Sequence, residues 1–152
     1  MMIYVLRHGI ANPKALSDLN RELTQEGTDQ TRSMAEKFKL YEPQVDKALM
    51  SPLQRARQTA AIVRVTFPNM LINVDPGLQP DADVYTFFDR IESFNVQSLL
   101  LVGHNPFLSN LISIVLDGTL ESARPCECSH LYCIDMDIIA PGCGTLKYVV
   151  EP

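Results

Sequence analysis

The sequence predicts a three-layer α/β/α sandwich around a mostly parallel, mixed central sheet of about six strands. Two observations carry this. Apolar runs without alternation, Ile3–Leu6 and Leu99–Val102, read as strands buried on both faces. Amphipathic segments at helical spacing alternate with the strands in the order β-α-β-α-β-α-β-α-β-β, which suits helices packed on both sides of one sheet.

The first strand, Ile3–Leu6, stops at Arg7-His8-Gly9. Residues 10–23 lack periodicity and form a loop carrying Asp18, Arg21 and Glu22. Thr24 then caps a helix whose Thr31, Met34, Ala35 and Phe38 form one buried stripe. A second strand, Val45–Met50, runs into Ser51-Pro52, a cap followed by proline at the first helical position. Ala56, Thr59, Ala60, Val63 and Phe67 form that helix's apolar face, and Arg55 lies in its first turn. Leu71–Val74 is a short third strand, and 75–83 is a loop with Pro76, Gly77 and Pro80. Val84, Phe87, Phe88 and Ile91 mark a third helix. The most apolar strand, Ser98–Gly103, ends in His104-Asn105-Pro106, with Asn105 as cap. Leu108, Leu111, Ile112 and Val115 line the fourth helix. Ser129–Asp135 and Thr145–Val149 flank the Pro141-Gly142 turn and read as antiparallel edge strands.

The 152 residues are expected to form a single domain over 1–152, 46% hydrophobic and 20% charged, a soluble globular balance. A net charge of -5 argues against nucleic-acid and anionic-membrane surfaces, so any positive site must be local. No apolar run approaches a membrane span and no leader pattern opens the chain, so a cytoplasmic protein is expected. Cys126, Cys128, His130 and Cys133 give a C-x-C-x-H-x-x-C run that invites a zinc reading. Structural zinc favours paired hooks of other spacing, and reduced, partly buried thiols fit better. No metal or other cofactor is expected.

Three strand-to-helix junctions carry Arg7/His8, Arg55 and His104. In a sheet of this kind such junctions share one edge, where ligands bind. Two arginines and two histidines around one point make a phosphate clamp, because guanidinium forks match phosphate oxygens and stay charged. A neutral histidine there can attack phosphorus. No G-x-x-x-x-G-K-[ST] motif and no acidic pair suited to magnesium is present.

Leu6-Arg7-His8-Gly9, Ser51-Pro52-Leu53-Gln54-Arg55-Ala56-Arg57-Gln58-Thr59 and Val102-Gly103-His104-Asn105-Pro106 resemble the histidine phosphatase (phosphoglycerate-mutase-like) superfamily. The short chain, Leu23-Thr24 with Gly27, and the Asp18-x-x-Arg21 loop look most like its SixA branch of phosphohistidine phosphatases. The resemblance implies His8 as nucleophile, Arg7 and Arg55 on the phosphoryl oxygens, His104 as a further donor, and Arg21 as a loop contact oriented by Asp18. Gly9 would allow the turn that aims His8, whose other ring nitrogen a backbone carbonyl should hold. Mutases and sugar-phosphate phosphatases of the superfamily add a carboxylate acid from a longer insertion after the third strand. Here that segment offers only Asp75, Asp81 and Asp83. A protonated phosphoimidazole leaves as neutral imidazole and needs little help, so P–N substrates are favoured over P–O. Asp18, Glu22 and Asp81 are the acid candidates.

The reading is therefore a metal-independent, monomeric phosphatase with a phosphohistidine intermediate. Its expected substrate is a phosphorylated protein, a phosphotransfer domain or phosphocarrier of bacterial signalling. A phosphatase of small phosphomonoesters and a non-catalytic phosphoprotein-binding module are the alternatives.

Overall fold

The computed structural model describes residues 1–152. Six strands form one sheet: β1 (Met2–Arg7), β2 (Lys47–Met50), β3 (Ile72–Val74), β4 (Ser98–Gly103), β5 (Leu131–Met136) and β6 (Gly144–Val150), in the order β3-β2-β4-β1-β5-β6. Strands β1 to β4 pair in parallel, whereas β5 is antiparallel to both β1 and β6. The helices are α1 (Gln25–Lys39), α2 (Gln54–Thr66), α3 (Val84–Arg90) and α4 (Phe107–Asp117). None is long and apolar enough to cross a membrane.

Side chains of the central strands alternate between two cores. Ile3, Val5, Leu99 and Leu101 pack with Phe87 of α3 and with Phe107 and Leu111 of α4. Tyr4, Leu6, Leu100 and Val102 pack with Met34 and Phe38 of α1 and with Ala56 and Val63 of α2. Both faces of the sheet are thus covered, the physical reason why β1 and β4 are continuous apolar runs. The expected three-layer sandwich is present.

Helix α1 begins as its sequence predicts, with Thr24 Oγ1 accepting from the Gly27 N–H at 3.0 Å. Gly27 also lets the helix start press on the chain leaving β1: a Cβ there would lie 2.1 Å from the Ile10 carbonyl oxygen.

Two expected caps are absent. Helix α2 starts at Gln54 without a side-chain cap: Ser51 lies too early, its N–H continuing the sheet by donating to the Val102 carbonyl at 2.9 Å and its Oγ accepting from the Leu53 N–H at 3.4 Å. Ser51 and Pro52 therefore precede the helix, and Phe67 lies just past its end. Helix α4 starts at Phe107, and Asn105 donates through Nδ2 to the Cys126 carbonyl at 3.0 Å instead of capping.

The closing hairpin is also placed differently. Strand β5 is interior, between β1 and β6, with Cys133 and Ile134 wholly buried, and of the hairpin's two strands β6 alone is an edge. The C-x-C-x-H-x-x-C run does not converge. Cys126 enters one core and Cys133 the other, and His130 Nδ1 lies 2.9 Å from the Cys128 carbonyl oxygen.

Candidate active site

The carboxyl ends of β1, β2 and β4 meet at one edge of the sheet. Backbone bonds lock them together: the His8 N–H donates to the Gly103 carbonyl at 3.1 Å, and Ser51 reaches Val102 as above. The Ser129 N–H donates to the carbonyls of Arg7 and His8, holding the strand end from the β5 side. Ser129 is wholly buried and adopts a left-handed φ of 58°.

His8 is 7% exposed and its ring lies 4.9 Å from that of His104, centroid to centroid. His8 Nδ1 is 2.7 Å from the Gly9 carbonyl oxygen. That acceptor requires the proton on Nδ1, so the lone pair sits on Nε2. Consistent with this tautomer, Arg55 Nε donates to His8 Nε2 at 3.2 Å. The backbone carbonyl expected to hold the ring is that of Gly9 itself. Gly9 does not take a left-handed turn. Its N–H donates to Thr59 Oγ1 at 3.1 Å, and a Cβ there would lie 2.6 Å from the Gly27 carbonyl oxygen. Close packing against α1, not a strained turn and not a free N–H for phosphate, is its place.

Arg55 is 4% exposed on the first turn of α2. Beyond His8, its Nη1 donates to the Asp18 carbonyl at 2.8 Å and its Nη2 to Asp18 Oδ2 at 3.1 Å. Asp18 belongs to a single 3₁₀ turn, Asp18–Asn20, in the loop over the site. Its other carboxylate oxygen pairs with Arg21 Nη1 at 3.3 Å, and Arg21 Nε donates to the Asn12 carbonyl at 3.0 Å. Asp18 thus pairs with Arg21, and it also bridges to Arg55, which no local spacing foretells. Partial burial pulls the Asp18 carboxyl up, but bonds and charge from Arg55 and Arg21 hold it below the usual carboxylate range. It is ionised at neutral pH, a poor state for a general acid. Glu22 and Asp81 are exposed, and neither carboxylate pairs with Arg7, Arg21 or Arg55.

Arg7 points its Nη1 at the Cys126 carbonyl, 2.8 Å away. The sequence carried no signal for this anchor, because a backbone carbonyl has no residue signature. Four buried side-chain polar atoms in the chain lack a hydrogen-bond partner: Arg7 Nε, His104 Nδ1, His104 Nε2 and Asn105 Oδ1. Orphaned buried polar groups are costly and cluster where a ligand satisfies them. All four lie on the segments that meet beside His8.

Burial lowers the His8 pKa to about 4, aided by the charges of Arg55, Arg7 and Arg21 against the raising bond to Gly9. Burial, with His8 and the same arginines, lowers His104 to about 2. Both rings are therefore neutral at physiological pH, and His8 carries a free base. The acid limb of kcat/KM set by His8 is expected near pH 4, not near 6.5, once substrate ionisation is measured separately. Stability follows the same sign. Below pH 6.5 the unfolded chain binds protons that the buried rings refuse, so stability falls as pH drops from 6.5 towards 4. Thermal melting across that window checks this.

Two surface clefts, of about 360 and 340 Å³, lie near the amino-terminal edge of the sheet and α1's far end, lined by Val45, Phe67 and Met70 and by Leu40, Tyr41 and Val150. None of the clamp residues lines them.

The family model of the histidine phosphatase superfamily (branch 1) matches residues 3–80. The chain is 29% identical to the phosphohistidine phosphatase SixA of Escherichia coli, covering 100% of this chain and 94% of that protein. It is 30% identical to a SixA homologue of Haemophilus influenzae over 74% of this chain and 76% of the relative. A solved structure of the protein histidine phosphatase SixA complexed with tungstate superposes with a TM-score of 0.89 at 29% identity, covering 100% and 97% of the two chains.

Proposed function

The chain belongs to the histidine phosphatase superfamily, branch 1, and on that premise we propose that it removes phosphate from phosphohistidine of a protein through a covalent phospho-His8 intermediate. The observation that carries the reading is the fixed tautomer of His8, its Nδ1–H on the Gly9 carbonyl and its Nε2 lone pair among guanidinium groups.

The chemistry follows from that ring. As a phosphoryl group enters, its oxygens draw Arg55 away from Nε2 and engage Arg7 Nε and His104. Nε2 attacks phosphorus, the substrate P–N bond breaks, and the electron pair stays on the departing nitrogen. If the departing imidazole carries a proton on its other nitrogen, it leaves neutral and needs no acid. The carbonyl of Gly9 keeps the proton on His8 Nδ1, so phospho-His8 is itself the labile, protonated phosphoimidazole. Water then attacks phosphorus, His8 leaves neutral, and the released proton goes to phosphate or bulk water. Three arginines against one carboxylate, Asp18, supply the charge that stabilises the transition state. The solved SixA structure is a complex with tungstate, a tetrahedral oxyanion, which supports oxyanion binding by this fold.

A protein substrate is supported by the rim. Leu16 is fully exposed and Leu19 60% exposed, on either side of Asp18 in the loop that reaches Arg55. Apolar side chains displayed beside a charged site fit a docking protein better than a small metabolite. Side-by-side rates on a phosphohistidine protein, free phosphohistidine and phosphate esters test the reading. A preference for P–N substrates is expected, and a preference for esters rejects it. Leu16→Asp with Leu19→Asp is expected to lower kcat/KM about tenfold on the phosphoprotein while leaving free phosphohistidine unchanged. Equal rates on the phosphoprotein remove the docking role.

A further inference from the structure

We propose that Asn105 is a specificity-determining residue whose Oδ1 accepts a hydrogen bond from the N–H of the leaving imidazole. The inference rests on the phosphohistidine reading above. Its basis is the set of orphaned atoms: three of the four belong to the clamp residues Arg7 and His104, and the fourth is Asn105 Oδ1. The orientation of this amide is fixed chemically. Nδ2 donates to the Cys126 carbonyl, which can only accept, so Oδ1 is an acceptor. The same carbonyl takes Arg7 Nη1, so the amide lies beside the arginine that faces the phosphoryl group.

An acceptor is out of place in a site built for phosphate oxygens alone. A phosphoryl group offers no donor, and the arginines around it are donors throughout. With Arg7 Nε and the His104 N–H engaged by the phosphoryl oxygens, the partner of Oδ1 comes from the other half of the substrate. A phosphohistidine protonated on its second ring nitrogen presents such an N–H. Accepting it favours the protonated form and leaves the proton in place as the P–N bond breaks, so the ring departs neutral. Gly9 does this for the enzyme's own His8, and Asn105 does it for the substrate's ring. A phosphate ester has no such donor.

The test compares free phosphohistidine with p-nitrophenyl phosphate, whose phenolate leaves unaided. Asn105→Ala is expected to lower kcat/KM on phosphohistidine ten- to a hundredfold, the effect of losing a bond to a charged donor. On the aryl phosphate it should change rates less than threefold. Asn105→Asp retains the acceptor but brings a negative charge to the clamp. Both its rates should fall, while the ratio of phosphohistidine to aryl phosphate activity holds or rises. Equal losses on both substrates with Asn105→Ala mean that the amide only positions Cys126 and Arg7, and overturn the proposal, as does no loss on either. If Asn105→Ala does not fold, a fallen ratio in Asn105→Asp overturns it alone. A wild-type protein inactive on phosphohistidine both free and in a protein overturns the functional reading and this inference with it; where only the protein form turns over, that form takes the place of free phosphohistidine in the comparison. An active wild type with equal losses overturns only the inference.

Discussion

Replacing His8 by alanine is expected to remove turnover, a loss of about 10⁴-fold or more, together with all phosphoenzyme. The expectation comes from geometry that no neighbour duplicates. His8 is the ring whose Nδ1 proton is pinned by a backbone carbonyl and whose Nε2 faces Arg55. His104 is also neutral and lies against it, but neither of its nitrogens has a partner that sets a tautomer. The clamp of Arg7, Arg21 and Arg55 survives the substitution, so phosphate analogues should still bind. Steady-state rates and trapping of radiolabelled phosphoenzyme after acid-free quenching read the outcome. Retained turnover, or label on another residue, would sink the assignment. The variant also loses one of the two rings that resist protonation, so its melting temperature should fall less steeply between pH 6.5 and 4 than that of the wild type.

The parts of this site that the sequence reveals are those written in local patterns. Ile3–Leu6 and Leu99–Val102 are unbroken because both faces are covered, and their polar ends locate the sheet edge. The parts it hides depend on partners far along the chain. Ser51-Pro52 and Asn105-Pro106 carry the signature of helix caps, but a sheet bond to Val102 keeps Ser51 in the strand extension, ahead of the helix, and the carbonyl of Cys126 takes the Asn105 amide. Local propensity yields there to tertiary hydrogen bonding. The hairpin of β5 and β6 looks peripheral in sequence, and nothing in its composition says that β5 pairs with β1 and not with β3. The cysteine run looks like a metal site until the sheet separates it: Cys126 before β5 and Cys133 within it fall on opposite sides. Asp18 shows a limit of another kind. Its spacing to Arg21 is local and legible, whereas its bridge to Arg55 spans the fold.

That bridge decides what Arg55→Ala should do. Activity is expected to fall about 10³-fold, because a guanidinium bonded to His8, the proposed nucleophile, would act mainly in the transition state. Stability should not follow. Arg55 is a buried charge whose neighbours include two more arginines, and its sole carboxylate partner, Asp18, has a side chain 60% exposed. Water can solvate Asp18 once the partner is gone, so no uncompensated buried charge remains. Removing one of three crowded like charges offsets much of the packing lost on α2. The melting temperature is therefore expected to stay within a few degrees of wild type, or to rise. A steep loss of stability would mean that Arg55 holds the loop and the helix together, and that its contact with His8 is incidental. A raised melting temperature with collapsed activity would mark Arg55 as a residue retained at a cost to the fold. Asp18, left with Arg21 as its one partner, gives a second readout: freed from Arg55, its carboxyl should titrate closer to the ordinary value, and the loop bearing Leu16 and Leu19 should exchange its amide hydrogens faster.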